Sequence, residues 1–324
     1  MISKQELLLS LYGTWRLLLR DTKGIEWLDD SPEGFWKSFF CAVVVLPGYI
    51  LLLAFSPTPY YEDAGVVQIF LVEGAAYVID CGDGVARQLA LAGIKLGSIR
   101  NLFITHHHSD HSPLAGPLKE KTGAPIYGCA VGARAAESMV VTEAGSDFGF
   151  APDVSLCGGG QILEGPGWTL EAIATPGHTS NHICFALKEE NILFSGDHIM
   201  GWSTTVVSPP DGDMTAYMES LELIKARDFT TLWPTHGPPV TEVTPFIQAY
   251  IDHRREREAQ VLGALAQGHT RIKAMVPALY AAVDPRLHPA AARSVLGHMI
   301  DLVRRGKVVT DGEAGLDSDY RLAG

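Results

Sequence analysis

The sequence predicts an α/β layered domain followed by a small winged-helix module. Three observations predict it. Short apolar strands alternate with amphipathic helices between Gly65 and about Thr244. The residues able to do chemistry in that stretch fall just after strands. The C-terminal part then reads as three helices and a hairpin. Composition agrees, since 47% hydrophobic and 19% charged residues in a 324-residue chain exclude disorder and leave room for about two domains. The net charge of −12 gives no overall attraction to phosphate backbones or anionic lipid heads.

Residues 1–56 form an atypical N-terminal segment. The run 39–55 (FFCAVVVLPGYILLLAF) carries no charge and sits at the lower length limit for crossing a bilayer, but Pro47-Gly48 interrupts it. It reads either as a membrane span or membrane-lying anchor, or as a buried hairpin or helix. A removable signal peptide is not expected, because the apolar run starts late and no small-residue cleavage site follows. Next come GVVQIFLVEG and AAYVIDCGDG, β-branched and Gly-bounded, as paired strands. Val85 to Ala92 has helical spacing. Ile99 to Thr105 is a short buried strand that leads into a histidine cluster. Ala130 to Val140 reads as a helix; 168–174, 182–187 and 191–196 read as strands. Met214 to Ala226 is an amphipathic helix, and Leu232-Trp233 a last short strand. The expected catalytic domain is 57–245 and the C-terminal module 246–324.

In that module, helices are expected over 251–268, over 270–283 with Thr270 as a cap, and over 288–306, with a two-stranded wing behind them. The charge is +5 over 251–310, −3 over 311–324 and −14 over 1–250. Any nucleic-acid contact therefore belongs to the third helix, through Arg293, Arg304, Arg305 and Lys307. The competing expectation is a helix face that packs on the catalytic domain or on a second copy. The five cysteines are scattered and never spaced CxxC, so they read as small buried hydrophobes in a reducing compartment, with no disulfide framework. The expected location is cytoplasmic, with membrane association through 39–55.

The chemistry concentrates in Thr105-His106-His107-His108-Ser109-Asp110-His111, directly after an apolar strand. A His-x-His-x-Asp-His pattern arises by chance in roughly one such chain in a thousand. Alternate residues share a face, so His106 and His108 point the same way, while Asp110 and His111 fall on the next turn, at the start of a helix. Imidazoles with few carboxylates suit zinc, with iron or manganese as substitutes. A loop of this kind supplies too few ligands alone. His178 (TPGH), Asp197 (SGDH) and His236 (PTHG) each follow a predicted strand and converge on one sheet edge. His182 is the candidate for protonating a leaving group or contacting substrate. His107 and His198 read as supporting residues, and His253, His269, His288 and His298 as surface or packing residues.

These residues resemble the metallo-β-lactamase superfamily, whose metal motifs occur here in order from Gly65 to about Thr244. The resemblance implies a four-layer αββα sandwich and a binuclear centre. His106, His108 and His178 would hold the first metal; Asp110, His111 and His236 the second; Asp197 would bridge them. Asp80, in YVIDCGDG, matches the early strand-end Asp that supports the histidine loop. Residues 65–111 are similar to the tRNase Z branch. From Ser112 onward, the chain is similar to lactamase-β-like hydrolases that carry a C-terminal winged helix, whose animal members resemble endoribonucleases. Such a chain has the look of a composite joined near the histidine loop. The implied function is a binuclear zinc hydrolase that uses a hydroxide on a phosphodiester in single-stranded RNA or on an ester or thioester, with Asp110 orienting the nucleophile. A glyoxalase II-like thioester hydrolase is one alternative. Another is a non-catalytic, metal-stabilised scaffold whose winged helix dimerises or docks nucleic acid.

Overall fold

The computed structural model describes residues 67–131, 145–281 and 283–324. The apolar run 39–55 and most of the helix expected over 130–140 lie outside them. No helix among the described residues is long and apolar enough to cross a membrane.

Two sheets stack face to face. In the first, β1 (Gln68–Val72) and β2 (Ala75–Ile79) form an antiparallel hairpin turned at Glu73 (φ 50°) and Gly74 (φ 81°), the left-handed pair that matches strand twist. β3 (Ile99–Phe103), β4 (Ile126–Gly128) and β5 (Val154–Ser155) join in parallel, in the order β1-β2-β3-β4-β5. α1 (Val85–Leu91) and α2 (Ala115–Thr122) make the crossovers. In the second sheet, β6 (Ile162–Gly165), β7 (Trp168–Ala174), β8 (Ile183–Leu187) and β9 (Ile192–Gly196) meander antiparallel. β10 (Thr231–Pro234) lies parallel to β9 after α3 (Met214–Lys225).

Alternation along the strands builds the layers. In β2, Tyr77 and Ile79 face the second sheet, packing with Phe103, Trp168, Leu170, Phe185 and Phe194. Their neighbours Ala76 and Val78 face the other way, onto Leu89 of α1 and Leu118 of α2. In β8, Ile183 and Phe185 enter the inter-sheet core, while Cys184 and Ala186 meet Tyr217, Leu221 and Ile224 of α3. The result is helix, sheet, sheet, helix. Gln68 Nε2 donates to the carbonyls of Trp233 (2.7 Å) and Pro234 (2.6 Å), tying β1 to β10. The region that resembles one branch of the family is thus bonded directly to the region that resembles another.

The C-terminal module follows. α4 (Val243–Ala266) is one continuous helix that crosses the expected boundary at 245/246 and begins at Val243 rather than Ile251. Pro245 lies in its first turn, where no backbone donor is required. α5 (Ile272–Leu279), α6 (His288–Arg304), β11 (Val308–Thr310) and β12 (Tyr320–Leu322) complete a winged helix around Val261, Met275, Val295, Met299, Leu302 and Tyr320.

Two expectations need correction. Cys129 and Cys157 form a disulfide with their Cα atoms 4.8 Å apart, while Cys81 and Cys184 are free and buried. β4 and β5 are parallel neighbours, with Gly128 opposite Ser155, so residues just past their ends meet although 28 positions separate them in the chain. Sequence spacing carries no information on that adjacency, and the inference of a reducing compartment loses its basis. Asp110 and His111 also do not start a helix; they lie on a turn, and α2 begins at Ala115.

Candidate metal centre

β7, β9 and β10 run in the same direction, so their C-terminal residues open on one edge. His178, Asp197 and His236 stand just past those ends. Asp80 and the loop 105–111 stand past the ends of β2 and β3.

Asp80 is the buried hub. It holds a left-handed φ of 63°, a conformation that Asp tolerates better than most residues. Its carboxylate accepts from Thr105 N–H (2.9 Å) and Thr105 Oγ1 (3.0 Å). It also accepts from His111 Nδ1 (2.8 Å) and Thr235 Oγ1 (3.0 Å). One carboxylate therefore joins the ends of β2, β3 and β10. Gly82, two residues on, has no room for a side chain, because a Cβ there would lie 1.7 Å from the carbonyl oxygen of Asp110.

The seven residues expected as ligands form two donor groups. In the first, His106 Nε2 lies 2.9 Å from His108 Nδ1, and His178 Nε2 lies 3.1 Å from the same atom. His178 Nδ1 donates to the carbonyl of Val206 at 2.7 Å, and His106 Nδ1 donates to Thr105 Oγ1 at 3.0 Å. Their Nε2 atoms are therefore lone pairs facing inward. Burial and the neighbouring imidazoles hold His106 well below the ordinary value and push His108 down to about 2, so both rings are neutral. Neutral imidazole is the form that binds a metal.

The second group is Asp110, His111, Asp197 and His236. His236 Nε2 lies 3.1 Å from Asp110 Oδ2 and 3.5 Å from Asp197 Oδ1. His111 Nε2 lies 3.4 Å from Asp110 Oδ2 and 3.5 Å from Asp197 Oδ1. Asp197 Oδ2 turns toward the first group, 3.8 Å from His178 Nε2. Asp197 thus stands between the two groups, as a bridging ligand must.

The donor set fits a cation. His111 gives its Nδ1 proton to Asp80, which leaves a lone pair on Nε2 aimed at carboxylate oxygens. His111 Nε2 and Asp197 Oδ1 are buried without a hydrogen-bond partner. Lone pairs buried against one another are costly unless a positive charge lies between them. Burial opposes a second proton on His111, yet the Asp197 and Asp80 charges still raise its pKa well above the ordinary value. Burial would raise the carboxyls, but His111 and its neighbours hold Asp110 and Asp197 far below the usual range.

His182 requires a correction. It is buried, its Nδ1 bonds Thr175 Oγ1 at 2.8 Å, and its Nε2 accepts from the Asp197 N–H at 3.1 Å. Both nitrogens are spent, so His182 orients Asp197 and cannot donate to a leaving group. His107 is buried and enters neither donor group; its Nδ1 lies 2.9 Å from Asn181 Oδ1. The His198 ring packs on Tyr217 and enters neither donor group. On the winged helix, Arg304 pairs with Asp213, Arg305 with Glu258 and Asp301, and Lys307 with Glu258.

Sequence reasoning missed Asn181 and the threonines Thr105, Thr175 and Thr235. A signal was present: a Thr directly follows or lies near the end of β3, β7 and β10, ahead of His106, His178 and His236. The loop 200–205 was also missed. Tyr250 of α4 pins it, accepting from the Met200 N–H at 3.1 Å and facing the Met200 carbonyl at 2.6 Å, and Arg254 donates to the Thr205 carbonyl.

Comparison with known proteins agrees with this geometry. Residues 58–236 match the metallo-beta-lactamase superfamily, and residues 272–316 match the beta-lactamase associated winged helix domain. The chain is 32% identical over 243 residues to a Drosophila melanogaster protein named beta-lactamase-like protein 2 homolog, covering 71% of this chain and 79% of that one. It is 32% identical over 195 residues to the atrochrysone carboxyl ACP thioesterase of Aspergillus fumigatus, covering 58% and 55%. Like that enzyme, several curated relatives are matched over only about half their length, 54–55%. A metallo-beta-lactamase family protein from Thermus thermophilus shares the fold, with a TM-score of 0.65 at 22% identity over 82% of this chain and 96% of that one. With the motifs, the layers and the family match in agreement, this chain belongs to the metallo-beta-lactamase superfamily and carries that superfamily's associated winged-helix domain.

Proposed function

We propose that this chain is a binuclear metal-dependent hydrolase of thioesters or related activated esters. The observation that carries the reading is the pair of donor groups with Asp197 between them. His106, His108 and His178 would hold one divalent ion; Asp110, His111 and His236 would hold the other; zinc suits the donors best, with iron or manganese as substitutes. Bound divalent ions supply Lewis acidity, bringing the pKa of water toward neutrality and polarising a substrate oxygen.

The protein's own groups do the rest. Asp80 fixes the His111 ring through its Nδ1 proton, and His182 fixes Asp197 through the backbone. Asp110 stays ionised and half-exposed, so it can accept a hydrogen bond from an attacking water and orient it.

The leaving group favours a thioester. With both His182 nitrogens committed, the acid first expected for the leaving group is lost. A thiolate departs without a proton near neutral pH, since its conjugate acid has a pKa of about 8.5, whereas an alkoxide needs one. The thioesterase named among the relatives supports the same choice. Single-stranded RNA, the other substrate class the resemblance implies, is less favoured: Arg304, Arg305 and Lys307, expected to meet it, pair with carboxylates of the same chain.

Metal analysis together with a panel of a thioester, a phosphodiester chromogen, a cephalosporin and a single-stranded RNA tests the reading. Two ions per chain, and thioester turnover that Asp110→Ala abolishes, are expected. RNA cleavage without thioester turnover would overturn it.

A further inference from the structure

We infer that Trp202 and Val206, together with Phe148, form the binding surface for an apolar acyl group; the inference rests on the hydrolase reading above and names its substrate more closely. These side chains are exposed to 64%, 56% and 38%. Exposed apolar side chains that each border a set of convergent polar groups can supply the apolar part of a ligand site. The place here is the border of the donor groups. The Trp202 ring lies parallel to the His236 ring, centroids 6.0 Å apart at 13°. Val206 supplies the carbonyl that His178 Nδ1 donates to, at 2.7 Å. The Phe148 ring lies 6.0 Å from His107, whose own ring is 5.2 Å from His108.

The surface is built rather than incidental. Gly201 N–H donates to the His236 carbonyl at 2.7 Å, and a Cβ on Gly201 would meet the Pro238 carbonyl oxygen at 2.4 Å. Gly237 (φ 98°) returns the approach: its Cβ would lie 2.9 Å from Trp202 N. Only glycine at both positions lets the loop with Trp202 lie on the loop with His236. Tyr250 then fixes the carbonyls of Met200 and Ser203, and Arg254 that of Thr205. Two loops and a long helix thus hold an indole in the open beside a donor group.

The geometry selects the acyl side of the substrate. A scissile carbonyl must sit against the donor groups, so its substituent extends over the residues that border them. An apolar chain gains there by covering Trp202 and Val206.

Thioesters of one small thiol, from acetyl to decanoyl, read this directly as a specificity ratio. In the wild-type chain kcat/KM should rise about twofold per added methylene, half in logarithm of the roughly fourfold that complete burial gives. Trp202→Ala should flatten the decanoyl-to-acetyl ratio by about tenfold or more, and Trp202→Phe should restore part of it. A purely structural role would lower every chain length alike and leave the ratio intact. Leu322→Ser, on the wing, should leave the ratio at the wild-type value. Calorimetry with non-hydrolysable ethyl and decyl thioethers separates the failures. Turnover with a flat ratio and equal affinities overturns the acyl surface and leaves the hydrolase reading standing. No turnover, but tighter decyl binding that Trp202→Ala removes, overturns the thioester reading and keeps the apolar surface. Neither turnover nor chain-length dependence overturns both.

Discussion

At the strand edge around Asp80 the buried side chains are mostly polar and Asp80 serves several partners, whereas the winged helix buries mainly Val261, Met275, Val295, Met299 and Leu302, with Asp301 and His298 at their border. The first region is a network and the second a core. A network whose hub, at the end of β2, takes donors from past the ends of β3 and β10 has no spare member, because each donor left alone in a dry interior bears its full desolvation cost. A core of apolar side chains tolerates volume-conserving exchange, and trimming one costs its contacts and the cavity left behind but strands no polar partner. The two regions nonetheless depend on each other. α4 belongs to both, since its N-terminal half packs on α3 and carries Tyr250, while Val261 and Leu265 enter the winged-helix core. Thr215 donates to Asp301 at 2.8 Å, and Arg304 pairs with Asp213, so α3 and α6 are also tied. α4, whose Tyr250 and Arg254 brace the loop 200–205, thus runs on into the winged-helix core.

Asp80→Ala strands the donors of Thr105, His111 and Thr235, and should cost about 3–5 kcal/mol in urea unfolding. It should also lower the metal bound per chain, because His111 loses the partner that orients its ring. A loss below about 1 kcal/mol would show that the hub is not one network.

Acid acts on the winged helix through one buried imidazole. His298 is 2% exposed in the winged helix, and burial together with the Arg254 charge pushes its pKa down to about 3. Its ordinary value is about 6.5, so between about pH 6.5 and pH 3 the unfolded chain binds the extra proton and stability falls as the pH drops. Between about pH 7 and pH 5 the expected loss is about 2 kcal/mol, and His298→Gln should remove that part of the slope in paired urea titrations.

Tyr250→Phe tests the brace. Removing the hydroxyl frees the Met200 N–H and the carbonyls it meets, for a loss of about 1–3 kcal/mol. The acyl-length ratio should fall with it, since Trp202 rides on that loop. The smallest effect belongs to Arg271→Ala. Its pair with Asp319 is exposed at the surface, and the unfolding midpoint should not move measurably in a thermal scan.

Much of this was legible residue by residue. The His106–His111 string, the strand-end positions of His178, Asp197 and His236, and the strand alternation of β2 and β8 follow from local periodicity, and the structure brings all seven candidate ligands together. The role first given to His182 was not legible. Four positions from His178 it looks available for chemistry, but its environment comes from Thr175 and from the backbone of Asp197, fifteen positions away. The Cys129–Cys157 bond was hidden for a like reason, set by the pairing of β4 with β5. Trp202 carried no signal as a single tryptophan; only its place over His236 gives it meaning.

By itself, then, the order of residues determined which side chains could bind a metal, which segments were strand or helix, and that a second module follows the first. Those properties depend on chemical type and on periods of two or three to four residues, which neighbours along the chain express. Tertiary structure alone decided which imidazole nitrogens face inward as lone pairs, which histidine is spent on the backbone and which loop borders the centre. Those outcomes depend on hydrogen bonds between segments far apart in the chain, and such partners are chosen only when the sheets stack.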